Sequence, residues 1–310
     1  MAQLIKLQDY ISRYEIDFYR YPGQFIRLKK ENWHKVYEHW ELNQPRIETP
    51  EELETSGTKE SFSLKNLFIR RKEKDLFAQP SISTEQITDI PRDEEQLKHK
   101  FLDHIFRFQL KWASSTIREQ SELSDDYKYS STLKFLLQRL PDSFLVLYQP
   151  IFRLKNATVE GDIIIITPLS VLCLTFLDEG EGVKIIPKEG RTWFVEQADV
   201  QSRILSPLIS LKRTEHIIKS IFAKYDIDMP VKKVVISEKN EMVTDMETYN
   251  TNYIGEGQYE EWFTQLRKLS SPLKHVQLKA GEALLKHCQT TSFERPEWLE
   301  DEEPTMFDLM

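Results

Sequence analysis

Glu160 and Asp162 stand on either side of a single glycine at the start of an apolar run, EGDIIII. Side chains two apart on a strand share a face, which sets these two carboxylates about 7 Å apart. Carboxylate oxygens are the hard donors that Mg²⁺ takes. Glu160 and Asp162 are therefore the candidate metal ligands and, with Lys212, the candidate catalytic residues. Lys212 and Arg213 open a later helix and can bring cations to the pair, and Asp178, Glu179 and Glu181 follow a neighbouring apolar run. The plainer reading of the same residues is a turn or cap interaction at a strand start, or an ion pair between Asp162 and Arg213.

Other reactive side chains form weaker constellations. His216 reads as part of a solvated helix face. His99 and His104 sit on an amphipathic helix with no cysteine nearby. His287 and Cys288 are adjacent, so on a helix they point about 100° apart, which excludes nucleophile–base geometry between them. Cys173 lies inside an apolar run and reads as a small core hydrophobe. The chain has no GxGxxG, GxxxxGK[ST], GxSxG or HExxH pattern. Lys274, His275, Lys279, Lys286, His287 and Arg295 form the most basic compact stretch, with Phe293 and Trp298 beside them. That stretch is either a nucleic-acid contact surface or an ordinary solvated helix face.

Composition narrows the classes. A net charge of −8 over 310 residues argues against a chain that is basic throughout, although a local basic patch remains open. Two cysteines exclude a disulfide framework and a four-cysteine zinc site. The mean hydropathy is −0.51. The longest apolar stretch, 163–177, contains Pro168 and falls short of the about 20 residues a membrane helix needs. The first residues lack the basic and apolar regions of a signal peptide. The expectation is a soluble cytoplasmic protein with no membrane partner.

Elements must position the candidate residues. Leu97, Phe101, Ile105, Phe108 and Trp112 recur at helical steps, predicting a helix over 94–119. A second helix spans 129–140, capped by Ser130 or Ser131. Strands are expected at 144–149, 161–167 and 171–177, with apolar runs that imply cover on both faces. A hairpin follows at 183–187 and 191–196, then a helix at 207–225 with Pro207 in its first turn. A strand at 231–237 and helices near 257–269 and 275–288 complete the pattern.

Five segments result. Residues 1–44 form an aromatic-rich helical arm that docks on the main domain or binds a partner, and 45–93 a polar, partly disordered linker. In that linker Arg70, Arg71 and Lys72 read as a solvated run. Residues 94–240 form an α/β core with a leading helix, 241–298 a helical extension, and 299–310 an acidic tail, disordered or acting as a docking peptide.

The order helix, three strands, helix, strand, together with EGDIIII, resembles the nuclease-related domain (NERD). That domain is a branch of the PD-(D/E)XK restriction-endonuclease-like superfamily. The resemblance covers roughly 125–240 and rests on three pieces: YSSTLKFLLQRLP, Glu160–Ile166, and Ser206-Pro207-Leu208-Ile209-Ser210. It implies an αβββαβ core with a mixed central sheet and extra helices at both ends. It also implies metal-dependent phosphodiester hydrolysis, in which Mg²⁺ or Mn²⁺ generates hydroxide and neutralises charge on phosphorus. The family holds the metal with an Asp on one strand and a Glu-x-Lys on the next. Asp162 fills the Asp position, but the Glu-x-Lys position reads Leu174-Thr175-Phe176, the helix Glu position Ser130 or Ser131, and the Gln position Ser210.

The expected function is accordingly a degenerate nuclease-related protein without cofactor, acting as a DNA-associated or protein-binding scaffold. A protein partner would use the N-terminal arm or the acidic tail. The alternatives are an active Mg²⁺- or Mn²⁺-dependent nuclease with a site relocated to Glu160, Asp162 and Lys212, and a pure protein-interaction module.

Overall fold

Four consecutive isoleucines, 163–166, are buried, and that run is the heart of the sheet. Branched residues favour the extended backbone, and a strand covered on both faces needs no polar side. The computed structural model describes residues 1–43, 91, 93–155, 157–198, 200–244 and 248–295. The fold is α/β with a mixed central sheet. Two compact units are present, Met1–Arg27 with Phe101–Met310, and Leu28–Lys100. Arg70, Arg71, Lys72 and the acidic tail lie outside the described residues.

The larger unit starts with strand β1 (Gln3–Leu7). Helix α1 (Tyr21–Leu42) and helix α2 (Glu94–Trp112) follow, each with one part in either unit. Strand β2 (Glu119–Gln120) and the short helix α3 (Asp125–Tyr129) precede α4 (Ser131–Arg139). Next come β3 (Leu145–Tyr148), the hairpin β4 (Ile151–Arg153) and β5 (Thr158–Glu160), β6 (Ile163–Ile166) and β7 (Val171–Phe176). Three further strands are β8 (Lys184–Ile186), β9 (Thr192–Gln197) and β10 (Val200–Leu205). Helix α5 (Leu208–Lys224) leads to β11 (Val231–Ile236), β12 (Glu241–Met242) and β13 (Thr251–Ile254). Helices α6 (Glu256–Lys268) and α7 (His275–Leu285) and strand β14 (Phe293–Glu294) close the described chain.

The central sheet has the order β1-β3-β6-β7-β11-β13. β6 runs antiparallel between β3 and β7, while β1 joins β3, β11 joins β7 and β13 joins β11 in parallel. Read along the chain, α4, β3, β6, β7, α5 and β11 give the expected αβββαβ order. Two insertions interrupt it: the β4–β5 hairpin, and the second sheet, β10-β9-β8-β12, most of which lies between β7 and α5. Alternate strand residues Val146, Ile165, Leu172, Leu174 and Val234 pack with α4 and α6 side chains in one apolar cluster. The intervening residues face the layer that contains α5, which packs on β7 and β11.

Gln3–Leu7, assigned from sequence to a helical arm, forms an edge strand of the central sheet paired with β3. An edge strand has a row of backbone groups to satisfy, and Gln109 of α2 meets part of that need. Its Oε1 accepts from Leu4 N at 2.6 Å and its Nε2 donates to Ala2 O at 2.9 Å. Lys6 is fully buried because three acceptors, Tyr10 O, Glu15 Oε1 and Thr290 Oγ1, take its three protons within 2.8 Å. The arm's aromatics do pack on this unit: Tyr14, Tyr21 and Phe25 all contact Trp112.

The unit Leu28–Lys100 is described at residues 28–43, 91 and 93–100, which are chiefly the remainder of α1 and the start of α2. Within it Trp33, Tyr37 and Trp40 form a ring ladder along the helix, and Trp40 Nε1 donates to Pro91 O at 2.8 Å. No helix among the described residues is long and apolar enough to cross a membrane.

Candidate functional site

Glu160 ends β5, Gly161 makes the turn, and Asp162 sits one residue before β6. The two carboxylates therefore do not share one strand face, as the spacing suggests, because the chain changes strand between them. Glycine is required at the turn. A Cβ on Gly161 would lie 2.9 Å from the Phe152 ring and 3.3 Å from Pro150 O. The Gly161 amide donates to Pro150 O at 2.8 Å, which fixes the direction in which Asp162 leaves.

Both carboxylates line one cleft of about 360 Å³. Its walls include Thr132 of α4, Tyr148 of β3, Thr175 and Phe176 of β7, and Ser210 and Arg213 of α5. The Asp162 side chain meets a hydroxyl there: Thr214 Oγ1 donates to Asp162 Oδ2 at 2.7 Å and accepts from the Asp162 amide at 3.1 Å. One threonine thus clasps both the carboxylate and the backbone of the same residue. Burial pushes the Asp162 carboxyl above its ordinary range, and the hydroxyls of Thr214 and Ser210 and the charge on Arg213 act the other way without cancelling it.

The remaining sequence candidates are placed as follows. Lys212 is exposed and is not among the cleft residues, whereas its neighbour Arg213 is. Arg213 Nη2 donates to the Glu160 carbonyl at 3.3 Å, so it braces the turn through the backbone. Ser130 caps α4, accepting from Leu133 N at 3.2 Å. Ser210 Oγ donates to Pro207 O at 3.0 Å. Asp178 pairs with Lys239 at 3.0 Å in an exposed loop. His216 is exposed, and Cys173 is buried.

Sheet register bears on the missing Glu-x-Lys. Ile163 pairs with Leu174 and Ile164 with Cys173. Alternation then puts Cys173 and Thr175, not Leu174 and Phe176, on the face that Asp162 and Ile164 share. A one-residue slip exchanges the two faces. On either register the neighbouring strand offers Asp162 no carboxylate and no lysine. Among the described residues no three His, Cys, Asp or Glu side chains gather into a cation site. A hydroxyl-clasped carboxyl, with a thiol and a threonine across from it, does not fit the oxygen-rich set that Mg²⁺ takes.

One arrangement escaped sequence reasoning. Glu215, next to Thr214 on α5, binds Lys219 at 2.7 Å and the buried Lys233 of β11 at 2.5 Å. Lys233 is paired in register with Cys173. A lysine inside an apolar strand, VKKVVI, was the available signal. The basic C-terminal block is partly committed to structure: Lys279 Nζ donates to Asp226 O at 2.9 Å, and Lys286 pairs with Glu282 at 2.8 Å.

No family model matches the chain, and no solved structure matches it. It is 56% identical over 41 residues to an RNA 2′,3′-cyclic phosphodiesterase of Geobacillus stearothermophilus, a stretch covering 13% of this chain and 13% of that relative. A similarity of that extent is local and assigns no family to the whole chain.

Proposed function

We propose that this chain is a nuclease-related α/β protein that does not cleave and serves as a binding scaffold for DNA or for a protein partner. The observation that carries this reading is the clasp of Thr214 on Asp162, opposite a strand whose facing residues are Cys173 and Thr175. A phosphodiesterase of the related type needs a metal to generate hydroxide and to neutralise the phosphoryl group. Here the one retained acid is pushed above its ordinary range by burial, is hydrogen-bonded to an uncharged hydroxyl and follows directly on the β5–β6 turn. Its role is to tie the β5–β6 turn to α5.

The test is cleavage. Single- and double-stranded DNA and RNA are incubated with the full chain and Mn²⁺, beside Asp162→Ala. The expected result is no metal-dependent cleavage by the wild type above that of the variant. Cleavage that requires Mn²⁺ and disappears in Asp162→Ala would overturn the reading in favour of a relocated nuclease site.

A further inference from the structure

We propose that the groove bounded by α2, α3 and α4 binds single-stranded nucleic acid. The groove has a volume of about 600 Å³. Its floor is apolar, from Phe106, Leu110 and Leu123, and its rim carries Arg107, Lys111, Lys128 and Lys134. Asp103 is the one carboxylate in its lining, and it is already held by Lys134 and Gln138, each at 2.8 Å. Lys128 is paired with Asp125 at 2.6 Å. Arg107 and Lys111 stand one helical turn apart on α2, exposed, with no ion pair among the described residues. The chain carries a net charge of −8, so the two cations in excess here, Arg107 and Lys111, after Lys134 and Lys128 are matched by Asp103 and Asp125, form a local feature rather than a sample of the whole surface.

Tyr129 gives the groove its second character. It is the last residue of α3, lines the groove, and is 85% exposed. A phenol left in water beside unpaired cations contributes little to the core, yet it offers a flat face to a base. The next residue, Ser130, caps α4 and fixes the backbone that carries the ring. Cations that follow a phosphate backbone together with an aromatic platform are what unpaired strands take, and stacking of that kind tolerates any base sequence. An acidic peptide would use the cations but has no need of the ring. The site is separate from the Asp162 cleft: Thr132 borders the cleft and Lys134 the groove. The inference therefore stands whether or not the nuclease relationship does.

The experiment is fluorescence anisotropy of a labelled oligothymidylate of about 15 nucleotides, within the span such grooves engage, with the full chain over a salt series. Binding is expected at low salt and should weaken as salt rises. Tyr129→Ala should weaken it about fivefold or more, and Tyr129→Phe should retain it, because the ring face is kept. Arg107→Glu with Lys111→Glu should weaken binding and flatten its salt dependence by about one to two contacts' worth. Absence of binding at low salt would overturn the proposal. So would equal affinity in wild type, Tyr129→Ala and the charge-reversal pair, or a loss produced by Arg213→Glu alone, which would move the contact to the cleft. A groove that takes polyglutamate and not the oligonucleotide would reassign it to acidic peptides. Should Tyr129→Ala lower the melting temperature, the charge-reversal pair on the exposed face of α2 carries the test.

Discussion

Asp162 lies against α5 and Glu215 belongs to it, and the two are held in opposite ways. Asp162 is met by the hydroxyl of Thr214, and burial pushes its carboxyl up. Glu215, one residue further along, is also pushed up by burial, but hydrogen bonds from Lys219 and Lys233 and their charges outweigh that and hold it below the usual range. The two groups differ in their partners. A donating hydroxyl favours the anion only weakly, whereas an ammonium favours it through both its hydrogen bond and its charge. Full charge pairing on this face of the sheet therefore lies away from the cleft and serves to join α5 to β11. Asp162, which faces the cleft, has no ion pair like that of Glu215; its direct side-chain partner is a hydroxyl, with Arg213 acting only through its charge.

The largest expected effect comes from breaking the charged pair. Lys233→Met leaves Glu215 with only the solvent-facing Lys219, and loss of one partner of a buried pair typically costs about 3–5 kcal/mol. Urea denaturation reads this directly. A loss below about 1 kcal/mol would mean that Glu215 behaves as a surface acid, and the contrast with Asp162 would collapse. Gly161→Ala tests the turn that aims Asp162. The added Cβ meets the Phe152 ring at 2.9 Å, and overpacking of this kind costs about 1–3 kcal/mol. A variant as stable as the wild type would remove the steric reason for the glycine.

Thr214→Val, nearly the same shape, deletes the clasp at a cost of about 1–3 kcal/mol for the Asp162 amide and the carboxyl oxygen that lose this partner. It should also raise the Asp162 carboxyl further, as read by carbon NMR titration of the side chain. An unchanged titration would show that the hydroxyl does not govern that group. The smallest effect is in pH dependence. Because the folded Asp162 carboxyl titrates above its unfolded value, the native state binds the extra proton between the two. Stability contributed by that group is present at lower pH and falls as pH rises through the window. Asp162→Asn should remove this slope, measured as the difference in melting temperature across the carboxylate range. Glu215 has the opposite sign: its contribution is present above its unfolded value and is lost as pH falls through the folded one. A common direction for Asp162→Asn and Glu215→Gln would contradict the comparison.

The core strands and helices were legible because their patterns are local. The isoleucine run of β6, the steps from Leu97 to Trp112 and the stripe Leu133, Leu136, Leu137 need no distant partner to be read. Strand β1 was not legible, since QLIKL carries Gln3 and Lys6, residues that are buried here only because Asp142 O, Tyr10 O, Glu15 and Thr290 satisfy them. Asp162 stood out, but Thr214 did not. A carboxyl and a hydroxyl 52 residues apart leave no spacing signal. Helix phase could have separated Lys212 from Arg213 and Thr214: Leu211, Thr214, Ile218 and Ile221 form the buried stripe, and Lys212 lies off it. Register could not be read, because Leu174 and Cys173 are equally apolar and a slip of one residue costs nothing in pattern. In the groove, Arg107 and Lys111 are visible at helical spacing, whereas their convergence with Tyr129 and Lys134 depends on how α2, α3 and α4 pack.

If Asp162 ties the β5–β6 turn to α5 and holds no catalytic metal, divalent cations should find no specific site there. Calorimetric titration of Mn²⁺ into the wild type and Asp162→Ala tests it without a choice of substrate. Neither protein should give a specific heat of binding into the millimolar range, and the variant should differ by lower stability alone. Stoichiometric binding in the wild type that vanishes in Asp162→Ala would contradict it.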